Sequence, residues 1–383
     1  MKFTVYCSLL LASFCAVPTA SAAIDPAAAV VIVRTNCTEN NATLNNCFAS
    51  MNALTSWMKN TRKPNAASPL RVDIGPGLFD GDVAINCSPA TGYTGYTTFE
   101  GSGSRQTVLN GYGSGSTSPI TIRSCTELNF SHLKITTGFY GGVQWKGGGN
   151  SNWNDVEIIG NGRAWYEESC GATRGKHYWF ASKIAASAVF SIAETYRATC
   201  DESWFYGSEV TVSIPSDAYQ ASGGAILAGA NGIIHVYGSA LRAFIDGPGS
   251  APAAVAGFAG TGGVIHIHGT GIDFSSQTGR DVIALSASNE GMIHADQTAY
   301  NPSTSGTVTR IANNGGHIHA PYLWQHIPNP AIVPNYTSVD GADQTTVMVN
   351  GYPHTAIYSS QCKIDTGDVA AWYDTVDKIC RDH

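Results

Sequence analysis

Four short segments of the chain repeat one pattern of apolar and polar positions. Gly232-Ile233-Ile234-His235, Gly263-Val264-Ile265-His266, Gly291-Met292-Ile293-His294 and Gly316-His317-Ile318-His319 align without gaps, with steps of 31, 28 and 25 residues between the histidines. A recurring unit of that length means an array of stacked turns, whereas a hairpin meander repeats about every 8–12 residues. Side chains alternate across a strand, so the shared isoleucine and the residue two places on (Val236, Ile267, Ala295, Ala320) face inward and the histidine faces out. Strands about 4.8 Å apart then predict an outward ladder of four imidazoles, flanked by His268, Asp296 and His317.

Elsewhere the apolar positions come in short runs, such as Leu70 to Ile74, Ile120 to Ile122, Leu133 to Ile135 and Val156 to Ile159, each bounded by Gly, Asn, Ser or Pro. Two stretches depart from this. Leu44, Phe48, Met51, Leu54, Trp57 and Met58 fall at helical spacing, as do Val369, Trp372, Val376 and Ile379. The expected fold is all-β, a single-stranded right-handed parallel β-helix whose open ends are covered by N-terminal and C-terminal helical caps. The predicted divisions are a signal peptide over 1–22, an N-terminal segment with its capping helix over 23–65, the β-helix over 66–326 and a C-terminal segment over 327–383.

Charged residues are 13% of the chain and glycines number 42, a composition suited to strands and tight turns more than to solvated helices. A net charge of −7 argues against nucleic acid as a partner and leaves extracellular polysaccharide open. The charged start, apolar run from Val5 to Val17 and Ala20-Ser21-Ala22 read as a secretory signal, placing the mature chain outside the cell or in a periplasm. After it no apolar stretch of about 18 residues remains, so no transmembrane segment is predicted. Eight cysteines survive, and only neighbouring turns of a solenoid come close enough to bridge, so the expected pairs are Cys37 with Cys47, Cys87 with Cys125, Cys170 with Cys200 and Cys362 with Cys380.

Val72-Asp73-Ile74-Gly75-Pro76-Gly77-Leu78-Phe79, followed by Phe99-Glu100-Gly101-Ser102-Gly103 and Thr107-Val108-Leu109, resembles the opening of pectin methylesterases in the pectate-lyase-like β-helix superfamily. The resemblance covers roughly residues 40–160 and implies a helix-capped β-helix in a carbohydrate context. The Gln-Asp-Thr-Leu and Asp-Phe-Ile-Phe-Gly strings of those esterases are absent, so no catalytic residue carries over.

Candidate chemistry concentrates in two places. Residues 161–183 are dense in aromatic and charged side chains and read as a long loop projecting from the scaffold. Trp165, Tyr166, Tyr178 and Trp179 there, with His235 and His266 of the ladder, are the candidate substrate-binding residues. Uronate β-elimination needs a base and cations, for which Tyr166 or His177 and Arg163, Arg174, Lys176 and Arg197 are the candidates. Glycoside hydrolysis needs a carboxylate pair, to be sought at Asp201 and Glu202 or Glu194. The ladder can equally be the by-product of duplication, a sugar-binding strip, or a metal-capturing patch made of His266, His268, His294, Asp296, His317 and His319. No cofactor is required; a divalent metal would be Zn or Cu on imidazoles, or Ca in a lyase. Two functions stand side by side: a secreted polysaccharide-active or polysaccharide-binding protein, and a non-catalytic surface, adhesive or metal-binding protein that works through its histidines.

Overall fold

The computed structural model describes residues 24–320 apart from 40–41, 82, 112–119, 140–141, 172, 188–191, 216–221, 246–253, 277–281, 297–298 and 304–307, and beyond them strands within 336–381. The chain winds as a parallel β-solenoid with three faces. The first carries Val30–Val33, Leu70–Ile74 and Thr97–Glu100, then the opening halves of Glu127–Phe139 and Asn150–Asn161, then Lys176–Phe180, Glu202–Tyr206, Ile233–Tyr237, Val264–His268, Met292–Asp296 and His317–His319. The second face begins after a sharp corner and runs from Gly77–Asp80 to Ala299–Ser303. Glu127–Phe139 and Asn150–Asn161 turn that corner without a break, which joins the first two faces into one 19-stranded sheet. The third face is a 10-stranded parallel sheet from Val83–Asn86 to Tyr336–Val339. Successive parallel strands joined by crossovers take the right-handed course.

Alternation dictates what fills the interior. On the first face the inward columns run Val72, Phe99, Phe130, Trp153, Trp179, Phe205, Val236, Ile267, Ala295 and, beside it, Ile234, Ile265, Ile293, Ile318, all buried. The repeat histidines therefore point outward, as alternation predicts. The wide middle turns are filled by rings: Phe99, Phe130, Trp153, Trp179 and Phe205 stack with centroids 4.9, 4.1, 4.9 and 5.8 Å apart. Trp165 and Tyr196 of the third face meet that stack edge-on.

Glycine is demanded where one turn presses on the next. Gly149 has φ +129°, and a Cβ there would stand 1.9 Å from the Cys125 carbonyl oxygen, a collision no rotamer relieves. Gly149→Ala should destabilise the protein by on the order of 3 kcal/mol, read as a lowered urea midpoint. An unchanged midpoint would mean that these turns do not pack so closely.

The N-terminal helix forms over Met51–Trp57 and continues as a π turn over Met58–Arg62. It starts later than its apolar spacing suggests, because Cys47–Phe48 is drawn into pairing with Ile32 and Val33 and Cys47 is bridged to Cys37. Ser50 caps it by accepting from the Ala53 N–H, and Met51, Leu54 and Met58 enter the common core. The bridges Cys87–Cys125 and Cys170–Cys200 also join order-adjacent cysteines, while Cys362 lies outside the described residues. No helix among the described residues is long and apolar enough to cross a membrane.

The expected C-terminal helix is replaced by an antiparallel sheet of Gln344–Val349, Tyr352–Tyr358, Trp372–Asp374 and Ile379–Arg381. Trp372 pairs Tyr358 and Ile379 pairs Asp374 across strands, so non-local pairing overrides a three-and-four spacing that only four residues supported. The sequence did hold a contrary signal: Asn350-Gly351 lies between the paired Val349 and Tyr352, the two-residue combination favoured in hairpin turns.

Candidate functional site

The first face presents three outward columns. The central one runs Thr98, Asn129, Asn152, Tyr178, Trp204, His235, His266, His294, His319 in unbroken register. One flank carries Phe180, Tyr206, Tyr237 and His268, with the backbone of Asp296 next in register. The other carries Lys176, Glu202, Ile233, Val264, Met292 and His317. Among these rings Phe180 and Tyr206 are 39% and 37% exposed, and the rest of the described rings are half-buried.

Ring orientation decides what the surface offers. Tyr178, Trp204, His235 and His266 are spaced 4.7, 5.3 and 5.0 Å centroid to centroid and tilted by no more than 11°. Flat rings so nearly parallel cannot lie side by side at that spacing without overlapping, so they stack face to face along the solenoid axis. Phe180, Tyr206, Tyr237 and His268 form a second such stack at 5.3, 5.5 and 5.2 Å. Neighbours on one strand, such as His235 and Tyr237 at 6.3 Å and 4°, are edge to edge in one layer. The ring faces are thus spent on one another, and each turn presents ring edges rather than ring faces along the first face.

The order changes at one end. His294 tilts 30° from His266, and its ring is 6.2 Å from His317 at 54° and 6.1 Å from His319 at 51°. Burial, and then the neighbouring His319, hold the His317 imidazole below its ordinary range. Elsewhere on the face His235 Nε2 meets Glu202 Oε1 at 3.0 Å, and Lys176 Nζ lies over the Trp204 ring at 5.7 Å. Partial burial and the nearby Tyr237 and Tyr178 hold the Tyr206 phenol above its usual range.

Residues 161–183 are not a projecting loop. They include the strand Arg163–Ser169 on the third face and Lys176–Phe180 on the first. Trp165 and Trp179, expected to meet a ligand, are fully buried, because alternation turns them inward into the ring-filled core. His177, expected as a base, is 0% exposed for the same reason. Tyr178 does join the outward column, and Tyr166 stands on the third face with Arg163 at 5.3 Å from its ring. Arg163 and Arg197 both bind Glu194, at 2.7 and 3.2 Å, and Arg174 donates to the Asn231 carbonyl. The residues named for uronate chemistry are therefore dispersed over two faces, a turn and the core. Asp201 and Glu202 likewise point opposite ways, one buried and one outward.

Sequence reading missed Trp204, Tyr206, Tyr237 and Phe180. The signal was present: Gly175-Lys176-His177-Tyr178 and Asp201-Glu202-Ser203-Trp204 occupy the same register as the four histidine segments. Insisting on histidine at the fourth place ended the repeat too soon.

A second constellation lies inside the solenoid. His177 Nε2 is 3.2 Å from Asp201 Oδ2 and 3.6 Å from Glu167 Oε1, with all three residues buried. His177 Nδ1 meets Ser151 Oγ at 2.7 Å, and that hydroxyl accepts the Trp153 indole N–H at 2.7 Å. Glu167 Oε2 accepts the backbone N–H groups of Thr199, Cys200 and Asp201, while Asp201 Oδ1 accepts that of Gly175 at 2.7 Å. Burial pushes the Glu167 carboxyl above the usual carboxylate range, against the opposing pull of His177.

No protein-family model matches the chain, and no curated protein matches it in sequence. Among solved structures, the A-module of the mannuronan C-5 epimerase AlgE4 of Azotobacter vinelandii is similar at 12% identity and a TM-score of 0.31, the alignment covering 72% of this chain and 87% of that one.

Proposed function

We propose that this protein is exported and binds an extracellular polysaccharide, neutral or weakly charged, laid along the solenoid axis on its first face. The observation that carries this reading is the pair of adjacent ring stacks, Tyr178 to His266 and Phe180 to His268, whose edges repeat hydrogen-bonding groups at the rung spacing. A strand spacing of about 4.8 Å is close to the length of one pyranose unit, so successive sugars meet successive rungs. Rings already locked by stacking lose little further freedom on binding, which favours affinity. Across the turns that carry the ring stacks the described charges of the face are Lys176 and Glu202, at one margin, and Arg71, Asp73 and Glu100 pair with one another farther along. The ring-bearing stretch therefore suits a neutral or weakly charged polymer better than a strongly acidic one. The Glu202–His235 pair within the face places a proton-transferring group beside a bound chain.

Retention of the mature protein on insoluble neutral glucans and mannans, with pectin and alginate alongside, tests the proposal. Retention on a neutral polymer that persists in high salt is expected, with released reducing ends or unsaturated products measured in parallel. Failure to bind any polymer would remove it, and so would binding confined to polyanions and abolished by salt.

A further inference from the structure

The inward positions of the described first face are apolar apart from Thr97 and a run of polar residues on three consecutive turns. Ser151, His177 and Ser203 are consecutive inward positions in a column that is otherwise Leu or Ile on the turns flanking them. Asp201 stands in register with Gly175 and Gly232, where the other repeat segments have glycine. A Cβ on Gly175 would strike the Gly149 carbonyl oxygen at 2.3 Å and come within 2.7 Å of Asp201 Oδ2, so only glycine fits beside that carboxylate.

Each member of the Glu167, His177, Asp201 group has one atom tied down and one atom turned to a common point. Glu167 is held through Oε2 by three N–H groups, Asp201 through Oδ1 by one, and His177 through Nδ1 by Ser151, itself fixed by Trp153. The remaining atoms are Glu167 Oε1, His177 Nε2 and Asp201 Oδ2, all within 4.8 Å of one another, with Nε2 and Oδ2 sharing a 3.2 Å hydrogen bond. Glu167 Oε1 is buried and has no hydrogen-bond partner. With both carboxylates ionised beside a neutral imidazole the group would carry a charge of −2 in a medium that tolerates none, a charge that a divalent cation held there would neutralise. Ligand atoms about 2.0–2.2 Å from a tetrahedral ion are about 3.4 Å apart, and the observed 3.2 and 3.6 Å bracket that spacing.

We propose that Glu167, His177 and Asp201 bind a divalent transition-metal ion, zinc or manganese, within the core, where it braces three consecutive turns. One imidazole with two carboxylates suits these ions better than calcium or magnesium, which take oxygen ligands throughout. The site is separate from the outward imidazoles and does not depend on the polysaccharide reading. The competing arrangement is an imidazolium shared between the two carboxylates.

Metal analysis of the purified mature protein after passage over chelating resin tests this directly. One zinc or manganese per chain is expected, with a lower melting temperature after stripping under acid or strong chelator and recovery when zinc is added back. Glu167→Gln keeps the shape and should weaken zinc binding by roughly 10–100-fold or more, while His266→Ala with His294→Ala should leave the metal content unchanged. A protein that holds no metal and whose melting temperature ignores both zinc and manganese overturns the proposal, as does a zinc affinity unchanged by Glu167→Gln or metal lost with the outward histidines. Should Glu167→Gln not fold, the wild-type comparison with and without chelator decides: an unchanged melting temperature overturns the proposal, and a fall reversed by zinc supports it.

Discussion

Trp179→Ala is expected to cost about 3–5 kcal/mol of stability while leaving polysaccharide retention unchanged at temperatures where the variant stays folded. Trp179 is buried between Trp153 and Phe205 in the stack, at 4.9 and 5.8 Å, with Trp165 and Tyr196 edge-on at 5.1 and 5.6 Å. Truncation removes a large apolar body from a site whose walls are rigid strands on all three faces, so little collapse can fill the hole. Trp179→Phe keeps a ring in the stack and should lose much less. Urea unfolding followed by circular dichroism, beside a retention assay, separates the outcomes. A wild-type midpoint for the alanine variant would deny the ring its place in the core, and lost retention by a folded variant would return it to the surface.

That expectation inverts what the aromatic density of 161–183 suggested. Density along the chain is blind to facing: in Lys176-His177-Tyr178-Trp179-Phe180 the burial alternates, so neighbours in sequence serve opposite sides of the wall. The architecture was legible wherever a short identical motif recurred, since Gly-x-Ile-His fixed both the turn and the inward side without knowledge of any partner strand. The glycines of that motif also have a reason visible in space: a Cβ on Gly263 or Gly316 would strike the carbonyl of Ala228 or Ala287 at 2.3 Å. What composition could not reveal is where motif positions are filled by other residues. Asp201 replaces the motif glycine and Tyr178 the motif histidine, and both became recognisable only through strand register. Glu167 lies 34 residues before Asp201 and on another face, yet its carboxylate binds the N–H of Asp201, a meeting created by the winding of the solenoid.

The geometry of the ring stacks also decides how the proposed polymer site should fail. If sugars lay flat on exposed ring faces, one tryptophan would dominate and its loss would abolish binding. Here the faces are covered and the edges act together, so single substitutions should be mild and combined ones severe. Tyr178→Ala, Trp204→Ala and His235→Ala together remove three consecutive rungs, and retention should fall at least 100-fold, about 2.7 kcal/mol. The same variant should lose some stability, because each stacked pair contributes about 0.5–1.5 kcal/mol, but its strands and core columns are untouched and it should remain folded. Lys183→Ala, Thr211→Ala and Arg242→Ala on the second face, whose side chains join the Glu209 and Asp273 ion-pair row, should leave retention as it was. Soluble oligosaccharides of increasing length add a further reading. Four rungs from Tyr178 to His266 span about 14 Å, so affinity should climb with each added sugar over that distance and then more slowly as the chain reaches His294, where the rings tilt out of line. Equal binding by short and long oligomers, or equal loss from both triple variants, would show that a ladder of edges is not what holds the polymer.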